Sequence, residues 1–392
     1  MTISNDKEQS RISGNSPQAI PLLLAVASAV AATIGSFCGG AEGAEPVQRR
    51  DPPPAQAYKM RLLVYGYWAN QCGSLDGPAG QAESTDQLLG HDVDEAGNVY
   101  WPECNEPIIR CYRPATDRVV TLAGSIRGLN DGPLNRARFG GWSYNSTSLL
   151  SVSADGKHLF VLDRHGKGLW RHVDLEAGTV STLGPVHRRD KGQFVIAKDT
   201  CGAIFAFCTN GDDPPECKGY QKLKVTASQE MTGQWLPFDR FALDAEKMRF
   251  YWHCRGPVYA CDLKTGQVSL LTAKGRNERP INTSGPLETT TFLCPTGMAI
   301  SPAGRYLYVG QGDGSSCFRL DLEKKASLVF GAMDDGGFGW RETGKDWQGP
   351  NGSCAMTGST GWPAATVFLP DGRGYWNTCW GIYGLTPMKG GK

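Results

Sequence analysis

A chain of 392 residues ordinarily divides into about two or three domains, although large all-β folds reach this length as one unit. Lys+Arg 40 against Asp+Glu 39 leaves no basic field to hold a phosphate backbone, which argues against nucleic acid as a partner. Gly 50, Pro 24 and Trp 11 with modest charge predict short strands and tight turns rather than long helices.

The first segment reads as a targeting element. Ala19 to Phe37 is an unbroken apolar run, preceded by Lys7 and Arg11 and followed by small residues up to Ala44. A removable export signal over 1–44 fits this pattern, the alternative being an uncleaved anchor formed by 19–37. Residues 45–57 are a Pro-rich linker, and 58–392 form the folded domain. Of Cys 13, only Cys38 lies in the signal, leaving an even set with no Cys-x-x-Cys spacing. That usage points to disulfides and an extracytoplasmic location, secreted or periplasmic, rather than to a metal cluster or covalent haem.

Beyond the linker the chain repeats itself. "HDVDEAGNVYW" at 91–101, "SVSADGKHLFV" at 151–161, "AISPAGRYLYV" at 299–309 and "TVFLPDGRGYW" at 366–376 each read as strand, Gly turn and aromatic strand. A second hairpin follows, as in 108–124, 169–184, 258–273 and 317–331. Four antiparallel strands per unit, repeated, describe a propeller blade. Copies fall near 87–124, 147–184, 191–226, 238–273, 294–331 and 363–388, the third and fourth being degenerate. Six blades are expected, with seven the alternative. The last copy lacks an outer strand, and "YKMRLLVYG" at 58–66 has no blade of its own. The prediction is therefore an all-β, six-bladed β-propeller whose ring is closed by this N-terminal strand.

"LDGPAGQAE" at 75–83 and "NDGPLNRARFG" at 130–140, set between "VVTLAG" and "DVDEAGNVYW" segments, resemble the Asp-Gly-Pro…Ala-Arg-Phe element of NHL-repeat propellers. "CPTGMAISPAGRYLYVG" at 294–310 is similar instead to gluconolactonase- and strictosidine-synthase-like propellers. The second resemblance implies a hydrolase with calcium or another divalent metal at the channel mouth. Thr296, however, stands where that family has asparagine, and Gln311 where it commonly has Asp. Propellers host many functions, so resemblance implies the fold more firmly than an activity.

Tyr-Trp followed by Cys recurs at 100–104, 251–254 and 375–379. On this fold the rings fill the gaps between blades, and each Cys ends the second strand. Staples between the second and third strands are expected as Cys104–Cys111, Cys254–Cys261 and Cys208–Cys217, with Cys294 and Cys317 on one face. Cys72, Cys354 and Cys379 cluster around the ring closure, and Cys201 has no evident partner.

The long insertions 67–86, 125–146, 275–293 and 332–362 all fall on one face, where loops of this length are commonly functional. The last carries Trp340 and Trp347 beside carboxylates, which suits a carbohydrate or a protein ligand. Glu103, His253 and Asn377 sit at strand-two ends on the same face and complete the expected ligand-binding set. His91 lies on an innermost strand and could face the channel. His 6 includes no pair with helical or hairpin ligand spacing, so neither a metal nor another cofactor is expected. The leading expectation is a binding or scaffold module, with no catalytic residues assigned; the alternative is the divalent-metal hydrolase. Membrane association is expected only through an uncleaved N-terminal segment.

Overall fold

The computed structural model describes residues 51, 58–66, 74–84, 91–103, 106–140, 150–163, 168–186, 192–228, 230–231, 241–253, 256–274, 284–292, 295–311, 316–332, 338–341, 366–369, 371–378 and 381–388. All of these belong to one compact unit, Arg49–Lys392. The chain forms a six-bladed β-propeller of antiparallel sheets arranged in a ring.

Blade 1 pairs Asp92–Val93, Val99–Pro102, Ile108–Arg113 and Arg118–Gly124 in succession. Blade 2 repeats this with Leu150–Val152, His158–Asp163, Leu169–Asp174 and Thr179–Pro185. Blade 4 is complete as well, Phe241–Asp244 through Val268–Leu270, so only blade 3 is degenerate. There Phe194–Lys198 and Ile204–Cys208 form a hairpin, and the short Gln221–Lys222 pairs parallel to the latter. Blade 5 runs from Pro295–Ile300 to Ala326–Ala332 and gains a fifth strand, Phe338–Arg341, beside it.

The ring closes as the sequence predicts. Tyr58–Gly66 is the outer strand of blade 6, antiparallel to Gly381–Pro387 from Tyr58↔Pro387 to Tyr65↔Gly381. Closure removes the sheet edge that the last strand would otherwise present. Side chains alternate between the two faces of each strand and so fill the seams between neighbouring sheets. Val64, Val93, Val99, Trp101, Leu369 and Tyr375 make the cluster that joins blade 6 to blade 1. The repeated Trp101, Trp252 and Trp376 are all fully buried, which accounts for the recurring Tyr-Trp pair as seam packing.

Three insertions expected to carry function are latches in their described parts. Gly77 and Pro78 leave the outer strand of blade 6 and pair with Val119 and Arg118 on the outer strand of blade 1. Gly132 and Pro133 repeat the step from blade 1 to Val180 and Thr179 of blade 2. Gly285 and Pro286, in a third insertion, pair with Ser327 and Ala326 of blade 5. The Asp of each Asp-Gly-Pro element explains its presence. Asp76 accepts from the Thr121 amide (2.8 Å) and hydroxyl (3.0 Å) and pairs with Arg110 Nη2 (3.0 Å). Asp131 does the same with Thr182 and, at 2.8 Å, with Arg171 Nη2.

The expected disulfide staples meet two obstacles. Cys111 and Cys261 carry free thiols in mid-strand, opposite Tyr100 and Phe250. The antiparallel ladder thus carries them away from the strand-two ends at Pro102 and His253, which pair with Ile109 and Val258. Cys104, Cys254 and Cys294 lie outside the described residues, as do Cys72, Cys354 and Cys379. Cys217 is also a free thiol, donating to the Lys218 carbonyl at 3.0 Å, so it makes no bond to Cys208. Cys201 Sγ reaches both Asp199 oxygens at 3.0 Å. Among the described residues, no helix is long and apolar enough to cross a membrane.

Candidate functional site

Each second strand delivers a polar residue to the same face of the ring. Three of the expected ligand residues are of this kind, and all three are fully buried: Glu103, His253 and Asn377. They do not converge as one set. Asn377 shares a strand face with Tyr375, and Glu103 with Trp101, so both project into the seam between blades 6 and 1. His253 shares a face with Tyr251, whose cluster lies between blades 4 and 5. His91 immediately precedes Asp92–Val93, and its ring faces the Tyr375 backbone in the same 6/1 seam. The seam therefore gathers His91, Glu103 and Asn377, while His253 stands elsewhere.

Glu103 is part of a clasp. Its carboxylate accepts from Ser84 Oγ, from Trp101 Nε1 (3.2 Å) and from Arg110 Nη1 (2.9 Å). Arg110, fully buried, also donates to the Leu75 carbonyl (2.7 Å) and to the Glu83 carbonyl, and so ties the first latch to blade 1. The same device recurs in blade 2. Arg171 donates to Asp163 (2.9 Å) and to the carbonyls of Asn130 and Arg138 (both 3.1 Å), with its guanidinium over Phe139. The hydrogen bonds around each buried ion pair offset part of its desolvation cost, although Arg110 Nε and Arg171 Nε find no partner among the described residues, and losing one member strands the other charge. Sequence reading assigned Glu103 to a ligand and missed Arg110, Asp163 and Arg171. The cue was available: an acid at the second strand's end, an Arg on the third, and an Asp-Gly-Pro before them, twice.

Asn377 and His91 are different. The Asn377 amide atoms find no hydrogen-bond partner among the described residues, and the His91 ring nitrogens have only a weak contact with the Tyr375 backbone. Burial lowers the His91 pKa to about 4, so the ring is neutral at neutral pH. Each such group costs about 1–3 kcal/mol while it lacks a partner. Nearer the axis, Asp92 pairs with Lys198 of blade 3 at 3.1 Å and accepts from the Val152 amide of blade 2 at 2.8 Å. Innermost strands of three blades are thereby fixed around one partly accessible ion pair.

The remaining expected residues lie beyond view. Trp340 belongs to the fifth strand of blade 5, opposite Phe330, and its side chain is outside the described residues; so is Trp347 entirely. The side chains of Thr296 and Gln311, on which the hydrolase reading turned, are likewise outside them.

These features define a closed six-bladed propeller with a polar inner seam. Comparison with protein-family models and with curated proteins finds no match. Solved structures share the fold. A structural-genomics protein of unknown function from Bacteroides thetaiotaomicron is 15% identical, with a TM-score of 0.55 over 84% of this chain and 76% of that one. An auxiliary nutrient binding protein from Bacteroides ovatus is 12% identical, with a TM-score of 0.55 over 85% and 78%. Another from Bacteroides thetaiotaomicron is 10% identical, with a TM-score of 0.52 over 84% and 76%. Identities this low establish the fold and nothing finer.

Proposed function

We propose that the chain is an exported, NHL-like propeller that acts as a binding module, holding a polar extracytoplasmic ligand, a carbohydrate or a protein segment, at the 6/1 seam. One observation carries this: two polar side chains on the 6/1 seam are held out of solvent, Asn377 with no partner among the described residues and His91 with only the Tyr375 backbone near its ring. An amide and a neutral imidazole supply both donors and acceptors, the complement of a hydroxyl or peptide group. Two structural neighbours are described as nutrient binding proteins, which adds an analogy of fold. Export rests on the apolar run 19–37 and its small-residue flank.

A group kept for a ligand costs stability in the ligand's absence. Asn377→Leu should therefore leave the melting temperature of the unliganded protein unchanged or raise it. The same variant should abolish the thermal shift produced by any hit from a panel of oligosaccharides and peptides. A drop in melting temperature like that of an ordinary core substitution would show that the amide is structural and the reading wrong.

A further inference from the structure

On the opposite face of blade 2 the hairpin His158–Asp163/Leu169–Asp174 builds a second polar cluster. His158 lies opposite Asp174, and His172 lies two residues before Asp174 on the same strand face. His158 Nδ1 is 3.1 Å from His172 Nε2 and 3.9 Å from Asp174 Oδ2, and one donor atom from each residue lies within 4.8 Å of the others. Two histidines and a carboxylate thus meet across a hairpin, although their sequence spacing of 14 and 16 residues suggested no ligand set.

We propose that His158 Nδ1, His172 Nε2 and Asp174 Oδ2 form a binding site for one divalent transition-metal ion, zinc, with a fourth position open to solvent. Nitrogen and oxygen donors at about 2.0–2.2 Å in a tetrahedral shell stand about 3.3–3.4 Å apart. The histidine pair is already close to that spacing, and Asp174 Oδ2, 3.9 Å from His158 Nδ1, needs a shift of only about half an ångström, small enough to keep the Oδ1 bond to the Ala177 amide.

The surroundings orient each donor. The Cys217 thiol donates to the Lys218 carbonyl at 3.0 Å and lies 3.4 Å from His172 Nδ1. That arrangement suits a proton on Nδ1, donated to sulfur, and leaves the Nε2 lone pair aimed at His158. Phe160 stacks on His172 at 4.8 Å and 10°, holding the ring plane. Gly219, at φ +98, lies so close to His158 that an added Cβ would come within 2.6 Å of its ring. Asp174 Oδ1 is committed to the Ala177 amide at 2.8 Å, so Oδ2 is the oxygen that faces the site. Lys218 Nζ is the competing cation, 4.0 Å from Asp174 Oδ2, but Glu176 holds it at 3.0 Å. Three ligands with an open position and a fixed second layer match a site that exchanges its fourth ligand, and the metal would also brace blade 2 against the 217–220 segment of blade 3.

The test uses the full chain, stripped with a chelator and titrated with zinc sulfate by calorimetry, and with cobalt(II) as a spectroscopic probe. One equivalent should bind. His158→Gln and Asp174→Asn should each weaken binding at least about 100-fold, and Cys217→Ser about 10-fold, as loss of a ligand and of its support do. Cobalt should show tetrahedral visible bands without a thiolate charge-transfer band, because sulfur touches the far nitrogen of His172. Circular dichroism checks folding; all three ligands are buried, so the decision rests on those variants of His158 and Asp174 that keep the wild-type spectrum. No uptake by the wild-type chain, uptake unaltered in both folded variants, or a thiolate band that disappears in Cys217→Ser would each overturn this ligand set.

Discussion

His91 and Asn377 occupy the same kind of seam position as the buried aromatic residues around them, yet each carries polar atoms into it. Burial keeps His91 neutral by pushing its pKa down to about 4. In the unfolded chain the ring titrates near 6.5. Between these values the unfolded state binds a proton that the folded state refuses, so stability falls as pH drops through that window. The full loss is of the order of 3 kcal/mol, and it is complete only near pH 4. Denaturant melts of wild type and His91→Gln at pH 7 and pH 4.5 should therefore differ in slope, the variant losing less on acidification. Parallel curves would mean that His91 is solvated in the native state. A residue's type was legible in the sequence here, but its lack of a partner was not, because partners come from a blade almost three hundred residues away.

The elements repeat more faithfully than their letters do. The third and fourth strands shift register in blades 1 and 2, between Ile109/Arg110 and between Trp170/Arg171, which leaves Leu122 and Leu183 without a counterpart. Gly184 (φ +139) follows Leu183 directly and Gly124 (φ +94) lies two residues past Leu122, both in a backbone region that side chains rarely adopt. Their surroundings differ. A Cβ on Gly124 would come within 2.2 Å of the Pro107 carbonyl, whereas one on Gly184 meets nothing within 4 Å. Gly184→Ala should cost only backbone strain, about 1–3 kcal/mol, and Gly124→Ala clearly more, because Pro107 must also move. Equal losses in urea titrations would show that the Pro107 loop yields freely. The glycines were visible as the ends of "TLAG" and "STLG", but the tight approach of the 106–108 segment belongs to the folded hairpin alone.

Closure governs the whole molecule. Tyr58–Gly66 is the last strand needed by blade 6, and the latches at 77–78 and 132–133 carry each outer strand onto the next blade. A chain beginning at Arg49 should fold as one cooperative unit and resist limited proteolysis as a single fragment. One beginning after Gly66 leaves the Gly381–Pro387 strand as an open edge, and it should aggregate or lose blade 6 to protease. A monodisperse, protease-resistant product from the shorter chain would show that the N-terminal strand is dispensable.

What the sequence by itself determined is the architecture: the period of strand, Gly turn and aromatic strand, the missing outer strand of the last copy, and its supply from residues 58–66. Those are local patterns, and the ring follows from repeating them until no edge remains. Which polar residues meet was decided by tertiary structure. Parity along each strand sends Glu103 and Asn377 into one seam and His253 into another, and sets His158 against Asp174 across a hairpin. It also turns an insertion expected to bind ligand into a latch, with Asp76 held by Arg110 and Thr121. The physical reason is that local patterning sets each strand's own shape, whereas a buried charge or amide is defined by neighbours that only the closed ring brings within hydrogen-bonding distance.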